Sequence, residues 1–165
     1  MQPYQMSKSA TTVGLSLIYA LSTAGKLRHL IQGTEHKMMG VGKSLPGWFL
    51  PIAIAHETLT FALLLTGPWT NWTGIGLLAS AGFMGGVTYM QFQIRKPIAM
   101  IPWLLVCSLT INLWRLSEPA TDTEMEKNLV LTLLYKPNAW CMGLAYIGGL
   151  VLGTVLASMN PKIKV

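Results

Sequence analysis

WFLPIAIAHETLTFALLL, residues 48–65, is entered through Pro46-Gly47 and left through Gly67-Pro68. A bilayer core about 30 Å thick takes about 20 helical residues, with ~17 as the lower limit, so this run can cross one. Four more runs of similar length follow the same pattern: Thr11–Ile31, Trp72–Phe92, Ile98–Leu116 and Ala139–Met159. Together the five predict an all-α, polytopic transmembrane helix bundle, a single membrane domain over residues 1–165 with no soluble domain beside it. Trp48, Trp69, Trp72, Trp103, Trp114 and Trp140 all fall near the expected helix ends. That is the aromatic belt of amphipathic rings at headgroup depth.

Composition agrees with this reading. Of 165 residues, 52% are hydrophobic and 11% are charged, about half the usual charged fraction. A disordered tail, a collagen, a coiled coil and an ordinary cytosolic enzyme are excluded. The formal net charge of +6 comes from cations clustered in short connections, which fits the positive side of a membrane better than nucleic acid. With five helices, one side receives Lys37, Lys43, Arg95, Lys96, Lys162 and Lys164, and the other receives Lys8, Lys127 and Lys136, with Arg115 near it. The N-terminus is therefore expected outside and the C-terminus inside an integral membrane protein. The first apolar run exceeds a signal h-region and shows no obvious cleavage site, so it is expected to be retained. Cys107 and Cys141 lie in separate apolar runs, which leaves no Cys-x-x-Cys for zinc or dithiol chemistry.

Glu57 is the most informative position. About nine residues into its helix, it sits roughly 13 Å deep, where a carboxylate is costly. Lys26, on the adjacent helix, lies roughly 9 Å from the same surface, so antiparallel neighbours can pair the two. An ion pair locking the first two helices accounts for them; the functional alternative is a proton-handling or ligand-binding carboxylate. His29 stands three residues from Lys26 on the same helix face, and Lys26, His29 and Glu57 form a candidate quinone or lipid-headgroup site. Plain positive-side anchoring also explains the cations there. His56 points about 100° from Glu57, which separates the two as metal ligands. No metal site is expected, and no motif for a self-contained hydrolase or nucleotide enzyme occurs. Thr110, Asn112 and Arg115 read as interhelical hydrogen bonding and snorkelling. Gly82 with Gly86, and Gly149 with Gly153, form two small-xxx-small helix-packing faces, with Gly85 beside the first.

Ala24-Gly25-Lys26-Leu27 at the end of the first helix, Ser44-Leu45-Pro46 before the second, Glu57 ahead of Leu63-Leu64-Leu65-Thr66-Gly67, and Phe83-Met84-Gly85-Gly86 in the third resemble the DoxX-like integral membrane protein family. The likeness covers roughly Thr11 to Leu116. It implies a four-helix core, with the fifth helix as an addition, and redox company, since members include the small membrane subunit of a thiosulfate:quinone oxidoreductase. It does not imply catalysis.

The expected function is a non-catalytic accessory or assembly subunit of a larger membrane redox or energy-transducing complex. The alternatives are a quinone-reactive oxidoreductase membrane subunit and a small transporter or lipid-binding protein. Partners are expected to be other membrane subunits and lipids, with no nucleic acid. Bound lipid, and a quinone under the second reading, are the ligands to look for. The Gly149–Gly153 face is expected to dock on a neighbouring subunit, and the chain's own third helix is the competing surface.

Overall fold

The computed structural model describes residues 3–34, 49–70, 72–93 and 137–158. These are all-helical, without strands, in α1 (Pro3–Ile31), α2 (Phe49–Thr70), α3 (Thr73–Gln93) and α4 (Ala139–Ser158). The expected span Ile98–Leu116, with Cys107, Thr110, Asn112 and Arg115, lies outside the described residues, as do Lys37, Lys43, Arg95, Lys96, Lys127, Lys136, Lys162 and Lys164. Two helices, over Phe49–Gly67 in α2 and Ala139–Leu156 in α4, are long and apolar enough to cross a membrane.

Helix limits differ from the hydropathy limits. α1 begins at Pro3, not Thr11, because hydropathy marks the apolar part of a helix and not where its hydrogen bonds begin. Proline at the first helical position has no N–H to leave unpaired. α2 runs through Gly67-Pro68 to Thr70. Pro68 removes one ladder bond, and the threonines around it tie their hydroxyls to the helix: Thr66 Oγ1 donates to Ala62 O at 2.8 Å and Thr70 Oγ1 to Thr66 O at 3.0 Å. Pro51 occupies the first turn, where no intrahelical acceptor is available anyway.

The ends of α1 and α4 are capped by their own sequence. Gly33 has φ +60°, and with Gly33 N–H donating to Leu30 O at 3.2 Å and Thr34 N–H to His29 O at 2.9 Å, α1 closes in a Schellman motif. At the start of α4, Asn138 Oδ1 accepts from Cys141 N–H at 2.9 Å, an N-cap at the expected spacing.

α1 is inverted in polarity. It buries Thr12, Ser16 and Tyr19 along with Leu15, and it exposes Leu17, Ile18, Leu21, Leu27 and Ile31. α2 buries Glu57 and Thr60 beside Leu50, Ala53, Leu63 and Leu64, and exposes Ile52 and Leu59. Between the helices lies a core of Leu15, Tyr19, Leu64, Leu77, Ala81, Met84 and Met142.

Glycines set the close approaches. α2 and α3 form a tight hairpin in which a Cβ on Gly67 would strike the backbone and hydroxyl of Thr73, and one on Gly76 would stand 3.0 Å from Leu64. α3 and α4 meet backbone to backbone: a Cβ on Gly149 would strike Gly82 C=O, and one on Gly85 would strike Tyr146 C=O and Leu150 N. Gly86 faces Gly149, and Gly153 faces Tyr89. Residue numbers rise together along both helices, so α3 and α4 are parallel. The Gly149–Gly153 face, expected to dock on a neighbouring subunit, is spent on this chain's own third helix. The physical reason is reciprocal flatness, since two glycine faces admit a backbone approach that neither would make against branched side chains.

Candidate functional site

α1 and α2 run antiparallel and bring Lys26 to Glu57. Lys26 Nζ donates to Glu57 Oε1 at 2.6 Å and to Ser22 Oγ at 2.6 Å, and Ser22 Oγ donates to Glu57 Oε1 at 3.0 Å. Ser22 owns one proton. Because its oxygen accepts from the ammonium, that proton is free to turn to the carboxylate, and the three side chains close a ring. Thr23 Oγ1 reaches Glu57 Oε2 at 3.5 Å. The side chain of Glu57 is 1% exposed and that of Lys26 is 17% exposed. A buried carboxylate is thus met by a cation and two hydroxyls, all from one face of α1. Such an arrangement satisfies a buried carboxylate from within the chain.

α3 supplies the third wall. The Phe83 ring centroid lies 5.8 Å from Lys26 Nζ, the outer reach of a cation–π contact. The same ring stacks on His56 at 5.3 Å with planes 17° apart, and it meets Tyr19 edge-on at 6.2 Å. Tyr19 Oη and Ser80 Oγ share a hydrogen bond of 2.6 Å. Across the next interface Tyr146 Oη donates to Thr88 Oγ1 at 2.9 Å. Each of these polar contacts ties one helix to another.

Not every residue singled out in the sequence converges here. His29 shares the expected α1 face, but its Nδ1 pairs with Thr34 Oγ1 at 2.8 Å, inside the helix cap and away from the pair. His56 is drawn to Phe83 and to Thr60, whose Oγ1 stands 3.4 Å from His56 Nδ1. Gly82, Gly86, Gly149 and Gly153 lie on the α3–α4 contact. Among the described residues no three His, Cys, Asp or Glu side chains gather at metal spacing. Ser22, Thr23, Tyr19 and Ser80 are not singled out in the sequence, and Phe83 appears there only within the fragment Phe83-Met84-Gly85-Gly86, not as a site residue. Ser22 had a signal, since it stands one helical turn before Lys26. The rest depend on which faces of three helices meet.

No family model, curated protein or solved structure matches this chain.

Proposed function

We propose that the chain is a small polytopic membrane protein acting as a non-catalytic accessory or assembly subunit of a larger membrane complex, with Lys26–Glu57 as the lock between its first two helices. The observation that carries the membrane reading is the inverted polarity of α1: buried Thr12, Ser16 and Tyr19, with Leu21 75% and Ile31 77% exposed. In water such a helix would turn over, because burying apolar area is the main drive to fold; lipid removes that drive and penalises unpaired polar groups instead. Exposed hydroxyls follow the same rule. Thr58, Thr66, Thr70 and Thr154 each donate to a carbonyl of their own helix, needing nothing from the surroundings.

The parallel run of α3 and α4 supports a further crossing. If both span the bilayer, the chain between them returns from one face to the other, and Ile98–Leu116 is the sequence run long enough to do so. The non-catalytic assignment rests on closure of the Lys26, Ser22 and Glu57 ring, whose acceptors on Glu57 are met within the chain. Redox company rests on the DoxX-like resemblance. Its three intramembrane fragments, around Lys26, Glu57 and Phe83, lie on different helices and meet at one cluster, which supports that reading. The quinone-reactive alternative draws on the same aromatic wall and on the partly exposed Lys26.

Purification in mild detergent tests the proposal. Stable co-migrating membrane subunits are expected. A protein isolated alone with stoichiometric quinone would replace the accessory reading by the quinone-reactive one, and recovery in the soluble fraction would overturn the membrane reading itself.

A further inference from the structure

His56 is the one titratable side chain of α2 that the Lys26–Glu57 lock does not use. It lies about 10 Å along the apolar run from Phe49, half-buried, with its ring flat on Phe83. Thr60 Oγ1 has a single proton, which it donates to His56 O at 2.9 Å. The 3.4 Å approach of that oxygen to Nδ1 then works only with the proton on Nδ1, the hydroxyl oxygen accepting. Nε2 is left as a bare acceptor, and among the described residues nothing donates to it. In lipid an unpaired polar atom is costly.

Resting on the membrane reading above, we propose that His56 Nε2 is a binding point for a neutral lipid carrying a free hydroxyl, which lies against the exposed flank of α2. The ligand must donate, because the site offers a lone pair. It must be uncharged, because the neighbouring Lys26–Glu57 pair is already neutral at 2.6 Å and offers no counter-charge. It must also let its polar group sink below phosphate depth, which a diacylglycerol does and a phospholipid does not. Pro51, Ile52, Ala55 and Leu59 form the exposed apolar flank of α2 around His56, against which acyl chains can lie.

The test is photocrosslinking of a photoactivatable diacylglycerol to the full chain in phosphatidylcholine nanodiscs. Labelling within residues 49–60 is expected, competed by dioleoylglycerol but not by trioleoylglycerol, which lacks the hydroxyl. His56→Phe keeps an aromatic ring on Phe83 and loses the acceptor, so labelling should fall about fivefold, the worth of one neutral hydrogen bond. His56→Gln, whose Oε1 reaches the region of Nε2, should restore it. Equal competition by trioleoylglycerol, or undiminished labelling of His56→Phe, overturns the proposal. Failure of the wild-type chain to enter nanodiscs would instead count against the membrane reading.

Discussion

Glu57 is where a single atom decides most. Replacing it with Gln leaves the largely buried ammonium of Lys26 facing an amide, and breaking one partner of a buried pair costs about 3–5 kcal/mol. Lys26→Met alone strands the carboxylate and should cost as much. The double variant removes both charges and should recover more than half of the summed loss, a coupling seen as non-additive melting temperatures in detergent. Additive losses would show that the two residues act apart. Ser22→Ala withdraws one hydrogen bond from the carboxylate and should cost about 1.5–3 kcal/mol by the same measurement, with Thr23→Ala costing less because its contact is 3.5 Å long. The pair itself is legible in the sequence, since depth counted along two antiparallel helices puts a lysine and a glutamate within reach. The company it keeps is not. Phe83 enters through the rotation of a third helix about its own axis, which neither spacing nor hydropathy specifies in a helix whose apolar residues are spread around its circumference as in α3.

At the level of elements, α3 and α4 illustrate how far a glycine pattern can be read. Small-xxx-small spacing marks Gly82, Gly86, Gly149 and Gly153 as contact residues but not as equal ones. A side chain on Gly149 meets Gly82 C=O, which is backbone and cannot rotate away, whereas a Cβ on Gly153 meets the Tyr89 ring at 3.2 Å. Gly149→Leu is therefore expected to destabilise the protein by about 3 kcal/mol, the upper end of overpacking, and Gly153→Leu by less. Gly148, one residue away, has nothing within 4 Å of a Cβ, so Gly148→Leu should fall within about 0.5 kcal/mol of the parent. Equal effects at Gly148 and Gly149, measured by thermal aggregation in detergent, would place the α4 contact on another face. Gly85 shows what the spacing missed: its Cβ would collide with three backbone atoms of α4, although the sequence marks it only as a neighbour of the pattern. α1 shows the same limit from the other side. Its polar stripe of Thr12, Ser16, Tyr19 and Lys26 follows helical periodicity, yet periodicity alone does not say whether a polar face looks outward into water or inward away from lipid.

For the whole molecule, register turns local facts into orientation. Because α3 and α4 are parallel and meet at Gly82 and Gly149, Trp72 and Trp140 lie at the same end of the bundle as Trp69, which closes α2. All three rings are exposed, at 49%, 82% and 68% respectively, which is how interfacial tryptophans sit. At the opposite end lie the C-termini of α1, α3 and α4, with Arg28 and His29 in the last turn of α1, and the sequence runs that follow these helices carry Lys37, Lys43, Arg95, Lys96, Lys162 and Lys164. Under the membrane reading proposed above, a tryptophan end and a cation end would set which way the bundle inserts, with the cations expected inside. Single cysteines introduced at exposed positions, with Cys107 and Cys141 first replaced by Ser, can read this directly. Thr70→Cys and Ala139→Cys should react with an impermeant maleimide from outside, and Gln32→Cys and Ser158→Cys only after permeabilisation. The pair at Thr70 and Ala139 is the sharper half of the experiment. Those residues are joined by a chain that leaves α3 at the far end and must come back, so labelling from one side requires an even number of crossings between them, α3 being one. Labelling of Thr70 and Ala139 from opposite sides would mean that α3 and α4 do not both span the membrane in parallel, and the five-crossing arrangement would fall with it.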